Sequence, residues 1–324
     1  MTHDENSATD NTSNKPLMPI WETVVGGHWD IVKEWLERDP SLINVTDNVR
    51  IRSSGYKKTT LLHVASALNS DVEILKYLVA QGANVNAVAK RGQVHLVHNF
   101  DTTAKFDVDA YDEGVLQDII SRGADVNEMA MRGWMIPLCL AASFNPCMEI
   151  LQYLFSVSAK VHPKILLRLA APSNSNVAIL EYFVSQGAEV NMWVLGDAAS
   201  DNPNVAILEY IVSHGIDVSA SFNANGLFWT TPLHCAAASN SNVDVLKYLI
   251  AKGADADADA IWDDGSFHKP LHAAASSNSN VEVLKYLIAH GADVHAKNDK
   301  GEKPLDVANS EEKKHILREA MKKR

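Results

Sequence analysis

From Val281 to Ala289 the chain reads VEVLKYLIA, with apolar side chains at 281, 283, 284, 287 and 288 and Glu282 and Lys285 between them. That spacing follows the 3.6-residue turn and predicts an amphipathic helix. Asn280, just before it, is a good N-cap residue, and Gly291, with His290 ahead of it, marks the stop. The same pattern, cap and stop included, runs from Asn242 to Gly253.

The pattern is part of a longer frame. Seven positions after Leu62, Leu138, Leu167, Leu195, Leu233 and Leu271 stand Asn69, Asn145, Asn174, Asn202, Asn240 and Asn278. A tyrosine follows at fifteen (Tyr77, Tyr153, Tyr182, Tyr210, Tyr248, Tyr286), and a glycine at twenty except for Ser158. Each frame reads as two helices, the first built of small apolar residues such as His272 to Ala275 and the second as above. The asparagine at seven is expected to end the first helix in a left-handed or turn conformation, where glycine would be harmless. A unit this small cannot bury its own apolar face, so the units must stack.

The stretches TTPLHCAA (Thr230–Ala237), HKPLHAAA (His268–Ala275) and TTLLHVAS (Thr59–Ser66) resemble the T-P-L-H-x-A motif of ankyrin repeats. KGADADA, HGADVHA and QGANVNA are similar to that family's G-A-D-V-N-A turn. The resemblance covers roughly residues 20 to 322. It implies an all-α solenoid of stacked helix pairs with projecting β-hairpin fingers, and a non-catalytic, protein-binding role. About nine units are expected, caps included. Residues 1–18 form a polar tail expected to be disordered. Residues 19–324 form one domain, with an N-cap repeat at 19–48, central repeats at 49–296 and a C-cap repeat at 297–324. The charged, amphipathic EEKKHILREAMKKR is expected to shield the last core face. The stretch 92–112 fits worst, while VLQDIISRGADVN (Val115–Asn127) restores the frame, and a degenerate third repeat is placed at 92–127.

Connector lengths vary. From the glycine position to the next leucine there are eighteen residues before Leu233 and Leu271, but nine before Leu167 and eight before Leu195. A two-stranded finger hardly fits in the short ones. The finger row should therefore have a notch, lined by Met192, Trp193 and Val194.

Composition changes little. The net charge of −11 argues against a general nucleic-acid binder. No apolar run approaches a membrane span and no apolar leader segment is seen, so no membrane association is expected. Cys139, Cys147 and Cys235 lack paired spacing, which suits a reducing compartment, and a cytoplasmic location is expected.

Candidate chemistry is sparse. His63, His234 and His272 hold the T-P-L-H place, where the resemblance implies a structural bond between repeats. His95 and His98 are three apart, but no further ligand spacing completes a zinc site. DADADAIWDDG (Asp255–Gly265) fails as a calcium loop, because Ala260 replaces the turn glycine and Ser266 the bidentate glutamate. No catalytic residue, metal or cofactor is expected. An enzyme using the degenerate repeat, hydrolytic or metal-dependent, and a structural spacer are the alternative readings.

The fingers carry aromatics, and Trp134, Trp229 and Phe267 each fall three positions before a proline. Rigid aromatics on projecting loops suit a binding surface. The candidate partner-binding residues are Tyr56, Trp134, Phe144, Trp193, Asp201, Phe228, Trp229, Trp262, Phe267 and His268. Acidic residues near the notch, Asp201, Asp255, Asp257, Asp259, Asp263 and Asp264, would favour a partner with a basic segment. The protein itself is expected to be a monomer.

Overall fold

The computed structural model describes residues 20–51, 54–91, 134–158, 161–223, 229–261 and 267–323. Among these residues the helices come in eight antiparallel pairs. They are α1 Ile20–Val25 and α2 Trp29–Arg38, α3 Leu61–Leu68 and α4 Val72–Ala80, α5 Pro137–Phe144 and α6 Met148–Val157. Then follow α7 Pro163–Ala170 and α8 Val177–Ser185, α9 Met192–Asp201 and α10 Val205–Val212. The last are α11 Pro232–Ser239 and α12 Val243–Ala251, α13 Pro270–Ser276 and α14 Val281–Ala289, α15 Pro304–Val307 and α16 Glu311–Lys323. First helices stack on first helices and second on second, giving one continuous core from Val24 to Leu317. The expected tail, residues 1–18, lies outside the described residues.

The first helices α3, α5, α11 and α13 are short and almost wholly buried, as their small residues require. Every residue of α5 is buried, and in α11 all but Ser239 are. The second helices are amphipathic, with three buried positions in each from α4 to α14, such as Val283, Leu284 and Leu287 in α14. Their N-caps are those the pattern predicts: the Asn280 side chain accepts from Glu282 N, and Asn176, Asn204, Asn242 and Asp71 do the same in their own units. Gly187 (φ 95°) and Gly253 (φ 103°) end their helices in the left-handed region, where a β-carbon would clash.

One expectation is corrected. The asparagines at position seven are not left-handed. Asn202 ends α9 at φ −86°, ψ 118°, and Asn69, Asn145 and Asn240 are likewise extended. Their side chains explain them instead. The Asn202 amide donates to Ala171 O at 2.7 Å and Asn174 O at 2.8 Å in the preceding unit, while its oxygen accepts from Asn204 N at 2.9 Å. Asn145, Asn174, Asn240 and Asn278 repeat this pattern. The result is an asparagine ladder along the turn between the two helices of each unit.

The degenerate repeat expected at 92–127 lies outside the described residues. Among the described residues α3 packs directly on α5, and Asn145 bonds to Ser66 O and Asn69 O, so the described stack is eight pairs deep.

The finger strands form two four-stranded antiparallel sheets. The first contains β1 Asp47–Ile51, β2 Ser54–Thr59, β3 Ala89–Arg91 and β4 Trp134–Met135. The second contains β5 Phe222–Asn223, β6 Trp229–Thr230, β7 Ala260–Ile261 and β8 Phe267–His268. Among the described residues no strand precedes α7 or α9, so the short connectors do open a gap between the sheets, as their lengths predict.

Candidate partner-binding surface

The pleat decides which finger residues face out. In the second sheet Phe222 pairs with Thr230 and Ala260 with His268, and Phe222, Thr230 and Ala260 are buried against the helices. The alternate row contains Asn223, Trp229, Ile261 and Phe267, each opposite the next. This row lies on the other face, because successive strand residues alternate sides. Trp229 is 48 % exposed there, the most exposed of the large apolar side chains described. In the first sheet Lys57, Lys90 and Trp134 occupy the corresponding row.

Tyr56 departs from the expectation. It is buried, at 2 % exposure. Asp47 pairs with Thr59 and Val49 with Tyr56, so β2 carries one extra residue, and Lys58 takes φ 55° to accommodate it. Such a bulge turns the following side chain to the opposite face. Tyr56 therefore points into the sheet's covered side instead of presenting a contact. Phe144 is also buried, at the end of α5, and so offers little to a partner. His268 is half-buried, with its ring edge against His272 at 5.8 Å. Phe228 and Trp262 lie outside the described residues, as do the side chains of Trp134 and Phe267, whose backbones belong to β4 and β8.

In the gap, Trp193 is half-buried. The Arg168 guanidinium lies over its ring at 5.3 Å, and the Phe222 ring meets it edge-on at 5.7 Å. Arg168 also donates from Nε and Nη2 to Asp197 Oδ2, at 3.1 and 3.0 Å. Phe222 rests on Gly196, where any β-carbon would overlap its ring. Met192 and Cys235 complete this small cluster. Asp201, one turn beyond Asp197 on α9, is exposed. The Arg168–Asp197 pair escapes sequence reasoning, since 29 residues separate the two.

The clue lay in the residue after each frame leucine. In the second, sixth and seventh units that residue is a histidine bonded to the backbone that leads into the next first helix. His63 Nδ1 accepts from Thr60 N at 3.2 Å, which leaves Nε2 to donate to Met135 O at 2.9 Å. His234 reaches His268 O at 3.1 Å and His272 reaches Glu302 O at 3.1 Å. Burial lowers the pKa of His63 and His234 to about 4. Around the gap the position changes to Cys139, Arg168 and Gly196. Burial pushes the Cys139 thiol up to about 12, so it is no thiolate nucleophile.

The acidic run of the second sheet is largely committed to structure. Asp255 accepts from Asp257 N, Asp257 from Asp293 N in the next unit, and Asp259 pairs with Lys269 at 2.8 Å. Asp263 and Asp264 lie outside the described residues, as do His95 and His98. Among the described residues no three His, Cys, Asp or Glu side chains come together in a way that could hold a metal ion, and no helix is long and apolar enough to cross a membrane.

The family model for ankyrin repeats in three copies matches residues 167–260 and 195–298, and the single ankyrin-repeat model matches 57–90. Together they span about half of the sequence. The chain belongs to the ankyrin-repeat family. A comparison with curated proteins finds no significant match. Among solved structures, the human ASB11 ankyrin repeat domain is similar at 22 % identity and a TM-score of 0.48, over 81 % of this chain and 98 % of that one. Ankyrin repeats are general protein–protein interaction modules, and their fold is typically non-catalytic. In this ankyrin array the fingers form two walls with a gap between them.

Proposed function

We propose that the protein is a non-catalytic interaction module that binds a protein partner through its finger-lined surface. The second sheet supplies the anchor and the floor of the gap supplies the charge. Trp229 carries this reading. A tryptophan held rigidly in a sheet and left half in water offers a large contact area at little entropic cost. Its row continues to the half-buried Ile261, which makes the patch wider than one ring. Exposed Asp201 and the net charge of −11 favour a partner with a basic segment, whose association would be salt-sensitive. The three cysteines are free thiols, two of them buried, which supports a reducing, cytoplasmic location.

The test is capture of partners on the immobilised protein, identified by mass spectrometry, followed by affinity measurement. Trp229→Ala should melt like the parent and lose ~2 kcal/mol of binding, about thirtyfold. Unchanged affinity in Trp229→Ala would place the interface elsewhere. Asp201→Asn should weaken the salt dependence of association while leaving the apolar contact intact.

A further inference from the structure

The ties between neighbouring units lie on two edges of the stack, and one edge is interrupted. At the inter-helix turn the asparagine ladder is continuous: Asn174, Asn202 and Asn240 each donate two bonds to the unit before. Asn176, Asn204 and Asn242 each add another, to Pro146 O, Ser175 O and Pro203 O. The opposite edge, at the start of the first helices, is tied by strand pairing and by the T-P-L-H histidines. β2 pairs with β3 between the second and third units, and β6 with β7 between the sixth and seventh. His63 and His234 bridge the same two steps.

Among the described residues no strand pairing crosses the steps on either side of α7. The start of α7 is capped within its own unit, His162 Nδ1 accepting from Lys164 N, and that of α9 by Asn191, which accepts from Trp193 N and Val194 N. The helices α7 and α9 touch more sparingly than any other neighbouring first helices. Across that separation stand Arg168 and Asp197, with the guanidinium stacked on Trp193.

We propose that the α7–α9 step is a hinge. The asparagine ladder is its axis, the two finger sheets are carried on its two arms, and Arg168–Asp197 is the latch that holds it shut. Fixing one end of two helices and freeing the other leaves rotation about the fixed end as the soft motion. A first helix of eight residues is about 12 Å long, so a small opening at the ladder becomes a larger displacement of the fingers. The two walls of the binding surface can then change their separation without any bond of the ladder breaking. This inference needs no partner and stands or falls apart from the interaction reading.

The test places spin labels at equivalent exposed positions on the finger-side ends of second helices. Ser156→Cys with Ser213→Cys spans the proposed hinge, and Ser213→Cys with Ala289→Cys spans two steps without it. Both are made with Cys147→Ser to remove the half-buried native thiol. Pulsed dipolar spectroscopy should give a distance distribution about twice as wide for the first pair as for the second. Asp197→Ala should widen the first further and leave the second unchanged. Arg168→Leu removes the latch from the other side and repeats the measurement if Asp197→Ala melts early. Equal widths for the two pairs overturn the hinge, and a first pair indifferent to both substitutions overturns the latch.

Discussion

The side-chain amide of Asn202 donates to the backbone carbonyl of Asn174, and the side-chain amide of Asn240 donates in turn to the carbonyl of Asn202. Each asparagine is thus acceptor for the next unit and donor to the last. The arrangement satisfies carbonyls that the end of a helix leaves without intrahelical partners, in positions with no access to water. It also sets the stacking register, because a unit shifted along its neighbour would leave two buried carbonyls unpaired.

Substituting Asn202 should therefore be costly whatever backbone freedom the replacement has. Asn202→Gly and Asn202→Ala should each lose about 2–4 kcal/mol in urea denaturation, since two buried acceptors lose their donor. Asn202→Asp should be at least as damaging, with a carboxylate facing two carbonyl oxygens. A Gly variant as stable as the parent would show that the backbone, not the amide, selects this residue.

The buried histidines predict an acid-side loss of stability. His63 and His234 have pKa values near 4 in the fold, against 6.5 when unfolded. Between those values the unfolded chain binds more protons than the native one, so stability is complete above about pH 6.5 and falls as the pH drops towards 4. Each histidine accounts for on the order of 3 kcal/mol across that window. His63→Gln keeps a donor towards Met135 O and should flatten the slope of melting temperature between pH 6.5 and 5. An unchanged slope would assign the acid sensitivity to other groups.

Gly196 and Phe222 fit as socket and plug. Gly196→Ala should cost about 1–3 kcal/mol through overpacking, as the ring is forced off the helix. Phe222→Ala removes the ring and should make the second substitution nearly free, so a double-mutant cycle should show strong coupling. Additive effects would mean that the ring has room to move aside.

Lys313 closes the ladder. Its ammonium donates to Ala274 O and Ala275 O at 2.9 and 3.0 Å, in the place where internal units use an asparagine amide. It is 2 % exposed, and burial lowers its pKa. Removing the ammonium takes the Lys313 donor from Ala274 O and leaves Ala275 O with Asn309 N, but also relieves a buried charge, and the first effect should win because the C-terminal end of α13 attracts a cation. Lys313→Met should cost about 1–3 kcal/mol and speed amide exchange in α15 and α16 ahead of the rest of the chain. Uniform exchange along the chain would deny the cap this special role.

The repeat, the two helices of each unit, their caps and stops, and the gap in the finger row were all legible in the chain. These features depend on local periodicity and connector length, which a linear reading carries directly. Asn176 caps its helix and Gly253 ends its helix for reasons contained within a few neighbouring residues. What the reading missed depends on neighbours far away in sequence. It fixed the place of Asn202 correctly but gave it a local role, because its bonds run to carbonyls 28 and 31 residues earlier. It set Tyr56 among the exposed aromatics, because the extra residue of β2 is defined only by pairing with β1. The Arg168–Asp197 pair arises from two units brought together by the absence of fingers between them. Local chemistry determined each unit by itself. Stacking decided which polar groups find partners, because a buried amide or charge is satisfied by whatever the neighbouring unit presents to it.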